Sequence, residues 1–139
     1  MDVVSDDTED GAADLGFCVP AASERLHQLR QALIAWARRV GLAAEAASDL
    51  VLATYEAMAN VVDHAYRGRS NGLLDLQARA DRTRRTVTVT VTDYGRWRPP
   101  TQGPTLRGRG LALIRGLAQH TEIRPGRHGT TVAMTYRLA

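Results

Sequence analysis

Glu56, Asn60 and His64 fall at spacings of four. Four residues advance about 400° around an α-helix, so the three share one slowly drifting stripe. A solvated polar face is the ordinary reading of such a stripe. Its chemical reading is a Glu acting as general base on a hydroxyl, beside an Asn oxygen that joins phosphates around Mg²⁺. Asp93-Tyr94-Gly95 closes a strongly β-patterned stretch. The plain reading is a turn leaving a strand; the functional one is a carboxylate accepting a hydrogen bond from the amino group of a base. Arg107-Gly108-Arg109-Gly110-Leu111 opens a helical segment. Glycines there let backbone N–H groups approach an anion, the helix dipole favours it, and Arg107 or Arg109 adds charge-assisted bonds to phosphate. This is not a dinucleotide fingerprint, because Leu113 stands where a third Gly is needed and a long loop precedes it. Gly129-Thr130-Thr131 reads in isolation as a tight turn entering the last strand.

These residues need elements to hold them. Residues 15–19 form a short β-like run ending at Pro20. Ser23 is placed as an N-cap, Leu26, Leu29, Leu33, Ala37 and Val40 recur at helical spacing, and Gly41 is the expected stop. A second helix is predicted from about Ala43 to Ala65, carrying the Glu56 stripe, with Leu52, Tyr55, Ala59 and Val62 on other parts of its surface. A turn follows over 67–72. Leu74, Leu76 and Ala78 alternate with polar neighbours, and Val87, Val89 and Val91 alternate with Thr88, Thr90 and Thr92, the strongest strand signal in the chain. Residues 93–109 read as a long loop of the kind that is often functional. A third helix is expected at about 110–120 and a closing strand pair at 121–125 and 130–138. The fold class is α+β: a two-layer sandwich whose largely antiparallel or mixed sheet is covered on one face by about three helices.

The chain's 139 residues fit one domain, with 44% hydrophobic side chains but only 5% aromatic ones, so aliphatics must build most of the core. All 18 basic residues are Arg and none is Lys. That excludes a P-loop NTPase, a protein kinase of the usual kind and a pyridoxal-phosphate enzyme, each of which needs a lysine. Residues 1–14 carry six acids and no Arg, and read as a flexible acidic tail ahead of a domain spanning 15–139. The remainder holds 18 Arg against nine acids, a net of +9, which suits an acidic partner or an anionic ligand. No apolar run approaches the ~18 residues of a membrane span, so no membrane partner is expected. The single cysteine, Cys18, excludes an internal disulfide framework and fits a cytoplasmic location.

In chain order the motifs are E-x3-N-x3-H, D-x-G, G-x-G-L and G-T. This series resembles the Bergerat-type ATP-binding fold of gyrase, the Hsp90 chaperone, histidine kinases and MutL. Within it, Glu56-Ala-Met-Ala-Asn60-Val-Val-Asp-His64-Ala65-Tyr66 is most similar to the RsbW-type anti-sigma-factor serine/threonine kinases. The resemblance covers roughly residues 15–138. It implies ATP and Mg²⁺ as cofactors, with Glu56 as the base on an attacking Ser or Thr hydroxyl and Asn60 as the Mg²⁺ ligand. His64, on the same stripe, is assigned with the nucleotide-binding residues. Asp93 would receive the adenine amino group with Thr130 in support, Gly95 would let the base lie against the backbone, and Gly108 and Gly110 would present N–H groups to the phosphates. The implied partners are a sigma factor, a STAS-domain anti-anti-sigma protein and a second copy of the chain. One departure stands out: the usual D-x-G-x-G here ends in Trp97 rather than Gly, and Pro99-Pro100 follow. The alternative function is therefore a module that acts by partner binding alone.

His27-Gln28-Leu29-Arg30 lacks the acid and the later Pro of a histidine-kinase phosphoacceptor box, and His27 reads as a polar-face residue. His120, His128 and Cys18 have no zinc spacing. Arg82, Arg84 and Arg85 read as a solvated strand edge; with no interleaved aromatics or reading helix, no direct nucleic-acid contact is expected. Arg25 and Arg30 on the first helix offer an acidic partner such as a sigma factor a docking point.

Overall fold

A computed structural model of the chain describes residues 3–7, 14–66, 72–95 and 120–138. Alternation decides its sheet. In β4 (Thr86–Asp93) the side chains of Val87, Val89, Val91 and Asp93 are buried and the intervening threonines are not. β3 (Leu73–Asp81) buries Leu74, Leu76 and Ala78 in the same way, and β6 (Gly129–Arg137) buries Val132, Met134 and Tyr136. With β1 (Val3–Asp7), β2 (Asp14–Pro20) and β5 (His120–Gly126), these form a six-stranded sheet in the order β1-β2-β3-β4-β6-β5. Every neighbouring pair is antiparallel.

Two helices cover the buried face. α1 (Ser23–Arg39) turns Leu26, Leu29, Leu33, Trp36 and Ala37 inward. α2 (Ala44–Asn60) contributes Leu50, Val51, Ala53, Thr54, Ala57, Met58 and Asn60. Trp36 and Leu33 are fully enclosed, and burying an aliphatic side chain such as leucine is worth about 1.5–3 kcal/mol. The α+β sandwich expected from the pattern is the one observed, with the two helices on one face of an antiparallel sheet. The predicted third helix at 110–120 lies outside the described residues except for His120, which opens β5. Among the described residues no helix is long and apolar enough to cross a membrane.

Three expectations need correction. Ser23 is not the cap of α1: Ala22 holds that position in extended conformation, and the Ser23 hydroxyl donates to Glu24 instead. The second helix does not run as one α-helix to residue 65. It changes at Asn60 to a π-helical turn over Val61–Ala65, which hydrophobic periodicity cannot reveal because a single turn of five residues is too short to show a period. The acidic opening segment supplies a strand over Val3–Asp7, with Val3 opposite Cys18 and Asp7 opposite Asp14. Its charges read as a tail, but charged residues are common in edge strands.

The α1 stop is where Gly41 predicts it. Gly41 has φ +82°, its N–H bonds to the Arg38 carbonyl, and the Leu42 N–H reaches back to Ala37. These are the two bonds of a Schellman motif, closed by buried Leu42. A Cβ at Gly41 would meet nothing within 4 Å, so only the left-handed conformation is at stake. Gly41→Ala should cost about 1–2 kcal/mol in urea unfolding, and Gly41→Asn less; equal stability of Gly41→Ala and wild type would show that the turn refolds into another form.

Candidate functional site

One end of the sheet gathers the candidate residues. Leu74 pairs with Asp93, and Asp93 pairs with Thr130. Asp93 is the last residue of β4, on the helix-facing side, and is 1% exposed. Its carboxylate accepts the Gly95 N–H at 2.9 Å and the backbone N–H of Thr130. Burial pushes its pKa above the ordinary carboxylate value, while the two N–H groups pull it back down. The Asp-x-Gly order explains the first of these bonds, because an Asp side chain reaches the N–H two residues on.

α2 packs against β4 and β6, the strands that bring Asp93 and Thr130. Glu56 is half-buried one turn before Asn60, which ends the α-helical part. Asn60 is 2% exposed, and neither its amide nitrogen nor its oxygen has a hydrogen-bond partner among the described residues. Buried amides are almost always paired, so an unpaired one marks a place where a ligand or ion completes the set. Among the described residues three hydroxyls, those of Thr54, Thr121 and Tyr136, are also buried without partners. Each is a single weaker group, and burial raises the pKa of Tyr136, keeping it neutral.

The π turn carries His64 and Ala65 and brings the helix end against the Asp93 corner. A Cβ at Gly95 would overlap the Ala65 carbonyl oxygen and crowd the Tyr66 ring. Glycine is required there by close backbone approach, not by a special φ. His64 lies within a turn with i→i+5 rather than i→i+4 bonding. The four-residue stripe therefore holds from Glu56 to Asn60 but not on to His64.

Tyr66 is the residue that sequence reasoning missed. Its hydroxyl donates to the Leu73 carbonyl at 2.6 Å and accepts the Tyr94 N–H at 2.8 Å, tying the helix end to β3 and to the Asp93 turn. Burial raises its pKa, so it remains a neutral donor. Tyr94 in turn donates to Asp75 at 3.2 Å. A Tyr beside an Ala gives no sequence signal for such a brace. Tyr66→Phe should cost about 1 kcal/mol in urea unfolding and speed hydrogen exchange at Tyr94; unchanged exchange there would remove Tyr66 from this role.

Asp93, Gly95 and Thr130 thus share one corner, and α2, the helix that carries Glu56 and Asn60, packs on the same strands. Arg107, Gly108, Arg109, Gly110, Leu111 and Trp97 lie outside the described residues.

The family model described as Histidine kinase-like ATPase domain matches residues 19–136. The chain belongs to that family. Among solved structures, this histidine kinase-like ATPase domain is similar to the RsbU and RsbW domains of Rv1364c from Mycobacterium tuberculosis, at 25% identity and a TM-score of 0.73 over 90% of its length. It is also similar in fold to the histidine kinase domain of the Erythrobacter litoralis EL346 blue-light activated histidine kinase, at 23% identity and a TM-score of 0.61 over 86% of its length. The ATPase domain spans 32% of the mycobacterial chain and 61% of the histidine kinase chain.

Proposed function

We propose that this ATPase domain is an anti-sigma factor that binds ATP with Mg²⁺, phosphorylates a Ser or Thr of a STAS-domain anti-anti-sigma protein, and sequesters a sigma factor. The observation that carries this reading is the buried, unpaired amide of Asn60 on the helix that packs beside the Asp93 corner. Similarity to a chain with RsbU and RsbW domains supports the protein-kinase branch.

Each residue has a task within that reading. The ionised Asp93 carboxylate accepts the adenine amino hydrogen, held in place by the N–H groups of Gly95 and Thr130. Among the described residues no three His, Cys, Asp or Glu side chains could hold a metal together. A Mg²⁺ would then rest mainly on phosphate oxygens, with the Asn60 oxygen as the protein's contribution. The ion would supply charge neutralisation for the transferring phosphoryl group. Glu56 takes the proton of the attacking hydroxyl as the new O–P bond forms and the bond to the departing ADP oxygen breaks. His64 would serve the nucleotide from the same helix, Gly108 and Gly110 would present N–H groups to the phosphates, Arg107 or Arg109 would add charge-assisted bonds, and Leu111 would follow them in the same motif.

Calorimetric titration of MgATP tests the pocket. Wild type should bind, and Asp93→Asn should lose at least tenfold in affinity, because the amide cannot accept the adenine hydrogen as a carboxylate does. Binding by wild type should also weaken as pH falls from neutral, beginning above the ordinary aspartate value of about 3.9, since Asp93 titrates high. Stability runs the other way. The folded state holds this proton more tightly than the unfolded state, so stability from this group grows as pH falls through the raised pKa. Equal affinity of wild type and Asp93→Asn would remove Asp93 from the adenine site. No binding by wild type would favour the partner-binding alternative, to which Trp97 in the D-x-G-x-G position points.

A further inference from the structure

A cavity of about 760 Å³ lies between α1 and α2, and its lining is two-sided. Ile34, Leu52 and Tyr55 give it apolar walls; Leu52 is 45% exposed, one of the few large hydrophobic side chains on the described surface. On the α1 side stand His27, Arg30 and Arg38. Neither Arg30 nor Arg38 has an ion-pair partner among the described residues. The α2 side is small and uncharged, formed by Ala44, Ala47 and Ser48. Arg25 does not line the groove, so the docking point read from the sequence moves along α1 towards Arg38.

We propose that this groove is the docking site for an amphipathic helix of a partner protein that carries acidic side chains along the flank facing α1. A helix laid along the groove between α1 and α2 completes a three-helix layer and buries its apolar stripe on Leu52 and Tyr55. Arg30 and Arg38 are eight residues apart on α1, about 12 Å along its axis at 1.5 Å per residue. The partner's acids should therefore recur about eight residues apart, and the neutral α2 side fixes which flank they occupy. Charge decides against the other occupants. A second copy presenting the same face would bring the same cations and no carboxylate to meet Arg30 and Arg38. The chain's acidic start is partly engaged elsewhere, because Val3–Asp7 pairs with β2. Leu52 lies one turn before Glu56 on α2, so a seated partner would approach the residue assigned to proton abstraction. The inference rests on the partner-binding half of the proposed function and not on nucleotide binding.

The probe is a fluorescein-labelled 18-residue helical peptide with a leucine stripe and two Glu eight residues apart on one flank. The control peptide carries Lys at both positions. Fluorescence anisotropy with the full chain at 0.15 M salt should show the Glu peptide binding at least tenfold tighter than the Lys peptide. Arg30→Glu combined with Arg38→Glu should reverse that preference, and Leu52→Asp should weaken the Glu peptide by tenfold or more, with circular dichroism confirming folded variants. Asp93→Asn should lose ATP and keep the peptide, which separates this inference from the nucleotide site. Binding of neither peptide, or a preference that survives the charge reversal, overturns the proposal. So does peptide binding that appears only after residues 1–14 are removed, or a dimer in sedimentation that Leu52→Asp dissociates; these assign the groove to the acidic start or to a second copy.

Discussion

Glu56→Gln should leave MgATP affinity within about twofold of wild type and slow phosphotransfer to a STAS-domain substrate by about 10²–10⁴-fold, the usual worth of a placed general base. The substitution preserves shape and removes only the capacity to take a proton. Glu56 is half-buried on α2, one turn before Asn60, in a packed helix whose neighbours Ala57 and Met58 are fully enclosed. The glutamine will therefore occupy the same place, and the effect can be read as chemistry and not as misfolding. Single-turnover transfer of labelled γ-phosphate, alongside calorimetry, measures both quantities. Transfer at the wild-type rate would show that another group takes the proton; loss of ATP affinity would mean that Glu56 serves the nucleotide and not the hydroxyl.

Gly95→Ala should be a severely damaging single-methyl change at the site. The added carbon would overlap the Ala65 carbonyl oxygen and carbon and press on the Tyr66 ring. Two of these are backbone atoms at the end of the π turn, which cannot rotate aside as a flexible side-chain tip can. Relief requires the Tyr94–Gly95 segment to lift, and that withdraws the Gly95 N–H from the Asp93 carboxylate. Overpacking of this kind costs about 1–3 kcal/mol, and MgATP affinity should fall by at least 100-fold. Urea unfolding and calorimetry report the two losses separately. Normal stability and affinity in the Gly95→Ala variant would show that the Ala65–Gly95 approach is loose and unrelated to the nucleotide site.

How far these elements were legible in the sequence depends on how each is held. β4 was legible because half its side chains face a dry layer and half do not, which writes valine and threonine alternately into Val87 to Thr92. α1 was legible for the same reason at the helical period, and its end because a left-handed residue with nothing to pack against is best met by Gly41. The candidate corner was legible in part. Asp93 and Gly95 mark it because the turn is made by their own local bonds. Tyr66 does not, because its two partners, Leu73 and Tyr94, are set by tertiary folding. β1 was hidden because an acidic segment reads as a tail, and only its pairing with β2 makes it an edge strand. The break at Asn60 was hidden because Val61-Val62-Asp63-His64-Ala65 fits an α-helical pattern as well as a π-helical one.

That break makes the spacing between Asn60 and Gly95's contact a matter of whole residues. A π turn accommodates one residue more than an α register needs. Deleting a single residue from 61–65 would let the helix run on in regular α form, with the i→i+4 ladder restored through the segment. Five residues of π turn and four of α-helix both advance about 400°, so everything upstream would keep its orientation towards the Ala65 carbonyl. The same deletion within Ala44–Asn60 has no wide turn to absorb it and would rotate the residues before it by about 100°. The wide turn is thus one residue of slack between α2 and the Asp93 corner: a chain shortened there keeps the phase of Glu56 and Asn60, and one shortened between them does not.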